Sequence, residues 1–84
     1  MADLKAPFEA AVAQSKLLTQ RPDNSTLLKI YGLYKQATSG DNADKIPASS
    51  DMVGSANWEA WNGLTGLSSD AAMQQYVLLI GSLR

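Results

Sequence analysis

The sequence reads as an all-helical domain of four helices, on three observations. Four amphipathic stretches follow one another along 84 residues. Loops with clear punctuation, at Pro22, Gly40 and Gly66, separate them. No alternating pattern persists long enough for a strand to compete. The length fits a single domain, residues 1–84, near the size at which one core becomes marginal without a crosslink or a metal.

The first helix is expected to start near Asp3 or Leu4, with Pro7 in its first turn, where the missing N–H costs least. Phe8, Ala11, Val12 and Leu18 form its apolar stripe, and it should stop before Pro22, because a residue preceding proline is pushed out of the helical region. Asp23 or Asn24 caps the second helix, which carries Leu27, Leu28, Ile30, Tyr31 and Tyr34 and ends near Gly40. Residues 40–50 are rich in Gly, Asp, Asn, Pro and Ser and read as a long loop. Ser49 or Ser50 is the expected cap of a third helix running to about Leu64, with Trp58 and Trp61 one turn apart and Gly66 as its stop. Ser68 caps the fourth, where Leu67 can meet Ala72 as a hydrophobic staple and Ala72, Tyr76, Leu79, Ile80 and Leu83 point inward.

Composition excludes several classes of chemistry. With no cysteine and no histidine, the chain has no disulfide framework, no zinc cluster and no Ser-His or Cys-His nucleophile pair. Asp23, Asp41, Asp44 and Asp51 fall at caps and loops, where carboxylates are ordinary structural residues, and no paired catalytic acids are evident. A net charge of −1 offers no field to attract nucleic acid. The start lacks the pattern of a leader peptide and no stretch is long enough to span a membrane, so a cytoplasmic protein without stable membrane insertion is expected. Lys5, Lys16, Arg21, Lys29, Lys35 and Lys45 precede a cation-free stretch that lasts until Arg84. An anion site is therefore expected to be built from the first two helices.

The segment YGLYKQATSGD, residues 31–41, concentrates the functional signal. On a helix, Tyr31, Tyr34 and Lys35 share one face. Two phenols can stack on or hydrogen-bond a base or sugar, while the ammonium supplies a point charge for phosphate. Spacing alone equally describes aromatics facing a core and a lysine reaching into water. Trp58 and Trp61 read first as core residues, Trp58 being the better placed to sense a ligand, and Tyr76 alone reads as a core tyrosine with a wet hydroxyl. Gly32 departs from helix propensity and either admits a close neighbour or is tolerated.

With Pro47, Asp51 and GSANWEAWNGLTGLS over residues 54–68, the tyrosine-rich segment resembles the acyl-CoA-binding protein family, and the likeness runs from Phe8 to Tyr76. The resemblance implies a four-helix bundle that binds long-chain acyl-CoA thioesters and carries them through the cytosol unchanged, as a monomer in passing contact with acyl-CoA-using enzymes. It implies that Tyr31 and Lys35 contact the adenine nucleotide and its 3′-phosphate, that Tyr34, Lys16 and Tyr76 line the same site, and that Ala11, Val12, Leu27 and Leu28 match the surface along which the acyl chain lies. No cofactor and no metal are implied.

The departure from the family pattern lies at Val53, Ser55 and Asn57, where lysines are usual; Asn57 matches a phosphate ligand and offers only a neutral amide. Lys45 is the nearest cation by sequence that could compensate. A member with weakened recognition of the CoA head, using its groove for another lipid or a partner helix, is the alternative reading.

Overall fold

The computed structural model describes residues 3–84, so positions 1 and 2 of the expected 1–84 domain lie outside the described residues. Its four helices are α1 (Lys5–Ser15), α2 (Asn24–Ser39), α3 (Met52–Asn62) and α4 (Ser69–Ser82). All four expected helices are present, and no strand occurs among the described residues.

Two caps stand where the sequence placed them. Asp23 accepts from the Thr26 N–H at 2.8 Å and opens α2, while Ser68 accepts from the Ala71 N–H at 3.1 Å and opens α4. Gly40 ends α2 at φ +77°, a backbone angle that residues with a Cβ rarely adopt.

Three boundaries differ. α1 ends at Ser15, well short of Pro22, because the Ser15 hydroxyl donates to the Val12 carbonyl at 2.6 Å. That carbonyl is the one a continuing helix would offer to the Lys16 N–H, which turns instead to Ala13. Leu18 consequently lies beyond the helix and is half-buried. The cap of α3 is Asp51, not Ser49 or Ser50: its carboxylate accepts from the Gly54 N–H at 2.9 Å. α3 also stops at Asn62 rather than Leu64, because Leu64 and Thr65 bond to carbonyls three residues back and tighten the chain into a turn leading to Gly66.

The helices pack in the spatial order α1, α4, α2, α3, with α4 between α1 and α2, and α3 resting on α2 alone. α1 runs parallel to α4, since Phe8 meets Tyr76 at one level while Leu17 and Leu18 meet Leu83 at another. α2 runs against α4, and α3 runs with α2. The Cα trace measures 38 × 32 × 14 Å, little more than one layer of helices across its shortest axis.

The core lies in that layer and consists of Phe8, Ala11, Leu33, Ala37, Ala72, Tyr76 and Ile80. Gln36 is buried among them; its amide donates to Asp41 and to the Leu67 carbonyl, each at 2.8 Å. Asp41 also accepts from the Gly66 N–H at 2.9 Å, so one carboxylate ties the end of α2 to the approach to α4. The Gly66 N–H first, and the Gln36 amide second, hold the Asp41 carboxyl below its ordinary value.

Gly32 is explained by the α2 and α3 packing. A Cβ built there would stand 2.8 Å from the Ala60 carbonyl oxygen, a backbone atom that moves only with the helix. Gly32→Ala should gain about 1 kcal/mol of helix propensity and lose about 1–3 kcal/mol to overpacking. A lower urea midpoint is expected, and a raised one would show that α3 shifts freely.

Candidate functional site

Along α2, Leu27, Tyr31 and Lys35 stand one above another at i, i+4 and i+8. Along α3, Val53, Asn57 and Trp61 repeat the same spacing. Leu27, Val53 and Asn57 wall one crevice between the two helices, and Lys35 meets Trp61 farther along both.

At one end the crevice opens into a groove of about 430 Å³ walled by Leu27, Leu28, Met52, Val53 and Ala56, with Arg21, Asn24 and Asn57 as its polar members. At the other end, the Lys35 ammonium sits 4.8 Å from the centre of the Trp61 ring. An apolar trough thus leads toward a cation, with Tyr31 half-buried on the ladder between them.

The other expected site residues divide into two groups. Tyr34 is 41% exposed and lies over Phe8, ring centres 6.1 Å apart and nearly parallel. Tyr76 is only 2% exposed, edge-on to Phe8 at 5.1 Å and tilted toward Tyr34 at 6.4 Å. The three rings therefore form one aromatic cluster joining α1, α2 and α4, with Tyr34 as its outward member. Lys16 is exposed at the C-cap of α1. Ala11 is buried in the core and Val12 packs half-buried against it; neither belongs to the wall of the groove that holds Leu27 and Leu28.

Both indoles pin the connection between α2 and α3. Trp61 is buried and donates to the Gly40 carbonyl at 2.8 Å. Trp58 is half-buried and donates to the Asp44 carbonyl at 2.9 Å, while Asn42 donates back to the Trp58 carbonyl at 3.2 Å. Of the two tryptophans it is Trp61, the buried one, whose ring meets Lys35. Lys45, in this connection, is exposed and does not wall the groove.

Sequence reasoning did not single out Met52, Ala56, Arg21 or Asn24 as groove residues, and it named Val53 only as a missing lysine. Met52 and Val53 are 80% and 73% exposed, which marks an uncovered apolar wall. Their position at the very start of a helix carries little periodic signal.

Among the described residues, no group of three His, Cys, Asp or Glu side chains is placed to hold a metal. No described helix is long and apolar enough to cross a membrane.

Comparison with known proteins agrees with this geometry. The pattern of the family described as Acyl CoA binding protein matches residues 5–80. The chain is 45% identical over 76 residues to the Acyl-CoA-binding protein homolog of Drosophila melanogaster, covering 90% of this chain and 88% of that one. It is also 46% identical over 76 residues to Enoyl-CoA delta isomerase 2 of Homo sapiens, but there the match covers only 19% of the relative. Among solved structures, Acyl-CoA-Binding Protein 2 of Oryza sativa superposes with a TM-score of 0.92 at 32% identity, covering 96% of this chain and 90% of that one. The acyl-CoA-binding protein of Moniliophthora perniciosa follows at a TM-score of 0.85 and 35% identity, covering 94% of this chain and 76% of that one. The helices, the groove they enclose and these likenesses together make the chain a member of the acyl-CoA-binding protein family.

Proposed function

We propose that this protein binds medium- and long-chain acyl-CoA esters reversibly and without chemical change, buffering them and carrying them between enzymes as a cytoplasmic monomer. The observation that carries the reading is the groove itself, an apolar trough between α2 and α3 walled by Leu27, Leu28, Met52 and Val53, with Tyr31 and Lys35 on the next turns of α2. An acyl-CoA ester joins an alkyl tail that seeks burial to a polyphosphate head that must stay near cations and water. Leu27, Leu28, Met52 and Val53 suit the first, and Tyr31 and Lys35 the second.

Magnitudes separate their roles. Each methylene buried contributes about 0.8 kcal/mol, so a long tail offers on the order of 10 kcal/mol before ordering costs. One charge-assisted phosphate contact contributes roughly 1.5–3 kcal/mol. The tail therefore sets most of the affinity and the head most of the discrimination. A binding role without turnover also agrees with a sequence that has no histidine or cysteine.

Asn57 on the groove wall favours a second reading, in which recognition of the CoA head is weakened and the groove serves other lipids or a partner helix. Calorimetric titration with palmitoyl-CoA, CoA and palmitate, below the micelle threshold and at one moderate salt concentration, separates the two. The carrier reading expects one-to-one uptake of palmitoyl-CoA, with CoA and palmitate each far weaker. Palmitate binding as tightly as palmitoyl-CoA would establish the second reading.

A further inference from the structure

We infer that Arg21 is a ligand-contacting cation of the groove, whose guanidinium takes the phosphate contact that Asn57, a neutral amide, cannot make as an ion pair. The inference rests on the acyl-CoA reading above and concerns head-group recognition at that same site. Arg21 and Asn57 wall one groove, whereas Lys45, the cation nearer to Asn57 in sequence, does not reach its lining.

The local chain holds Arg21 in place. It precedes Pro22, which keeps it out of helical geometry in the link between α1 and α2. Its guanidinium donates to the Asn24 side-chain oxygen at 3.1 Å and, at 3.4 Å, to the Pro22 carbonyl. Both acceptors are neutral, so the positive charge is not spent on them, and the remaining N–H donors of the fork stay available. The neighbouring Asp23 carboxylate is engaged at the Thr26 N–H as the cap of α2. A guanidinium fork matches two phosphate oxygens at once, which a lysine ammonium does not.

Arg21 stands at the end of the groove away from Lys35, so a phosphate that it holds lies beside Asn57 rather than beside Lys35. A carboxylate at the far end of the acyl tail would present the same anionic chemistry to Arg21, and the experiment must tell them apart.

Palmitoyl-CoA and hexadecanedioyl-CoA, which carries a carboxylate at its tail end, are titrated into the wild type and into Arg21→Gln, Arg21→Lys and Lys45→Gln. Because Arg21 is exposed, urea midpoints of its variants should match the wild type. The inference expects Arg21→Gln to weaken palmitoyl-CoA roughly tenfold and to reduce the salt dependence of binding. Arg21→Lys should fall between, and Lys45→Gln should stay within about twofold of the wild type. Wild-type binding that Arg21→Gln leaves within twofold would overturn the inference while the acyl-CoA reading stands. A wild type that binds no palmitoyl-CoA would overturn both. A loss confined to hexadecanedioyl-CoA would assign Arg21 to the tail and overturn the phosphate contact.

Discussion

Trp61→Ala should destabilise the protein by roughly 3–5 kcal/mol, the range for removing a large buried aromatic side chain. An 84-residue domain holds on the order of 4–12 kcal/mol in total, so the loss takes a large share of it. Three losses combine at this position. The ring is 4% exposed, so its removal leaves a cavity between α2 and α3. Its N–H is bonded to the Gly40 carbonyl at 2.8 Å, which pins the connection where it leaves α2. Its face also carries the Lys35 ammonium, a contact worth about 0.5–1 kcal/mol at a partly solvated site. Trp61→Phe keeps most of the ring and loses the N–H, so it should cost about 1–2 kcal/mol, less than the alanine variant. Urea denaturation of both, followed by far-ultraviolet circular dichroism, checks the order. Equal losses would mean that the hydrogen bond to Gly40, and not the ring, holds the connection.

Lys35→Ala is the complementary case, with a large effect on binding and a small one on stability. If Lys35 contacts phosphate as proposed, its removal should weaken palmitoyl-CoA by about 10- to 100-fold. The folded state should lose only about 0.5–1 kcal/mol with the contact to Trp61. Lys35→Arg should not restore full affinity, because a planar fork and a compact ammonium direct their donors differently. The wild type carries its own reporter, since Lys35 lies against the Trp61 ring, and indole emission should respond as the ammonium engages a phosphate. Affinity for palmitoyl-CoA unchanged by Lys35→Ala would count strongly for the groove as a general lipid or helix site.

The helices were legible because each carries an apolar stripe and a punctuation residue at one or both ends. The α2 boundaries are the clearest case, since Asp23 and Gly40 act locally, through one side-chain oxygen and one backbone angle. The end of α1 was illegible because a single serine hydroxyl captures a carbonyl, and serine occurs in many helices without doing so. For the site, the i, i+4 relation of Tyr31 and Lys35 could be read from spacing alone. That Lys35 meets Trp61 could not, because it depends on how α3 lies against α2, which the close approach at Gly32 decides. Arg21 was hidden for a different reason. It lies in a link without periodicity, and only the fold brings that link to the mouth of the groove.

The order in which the helices lie side by side has a kinetic consequence. α1 rests on α4, and their shared contact joins Phe8 to Tyr76, near opposite ends of the chain. Local helix formation cannot supply that contact; almost the whole polypeptide must close into a loop first, and its entropy is lost before any burial repays it. Bundles whose sequential helices pack as hairpins fold through near neighbours, whereas this protein carries a higher contact order than its helical content suggests. Docking of α1 on α4 is thus the step expected to limit the rate of its folding. A chain shortened through Tyr76 would leave α1 with little beyond the Phe8 ring against Tyr34, however well α2 and α3 had formed.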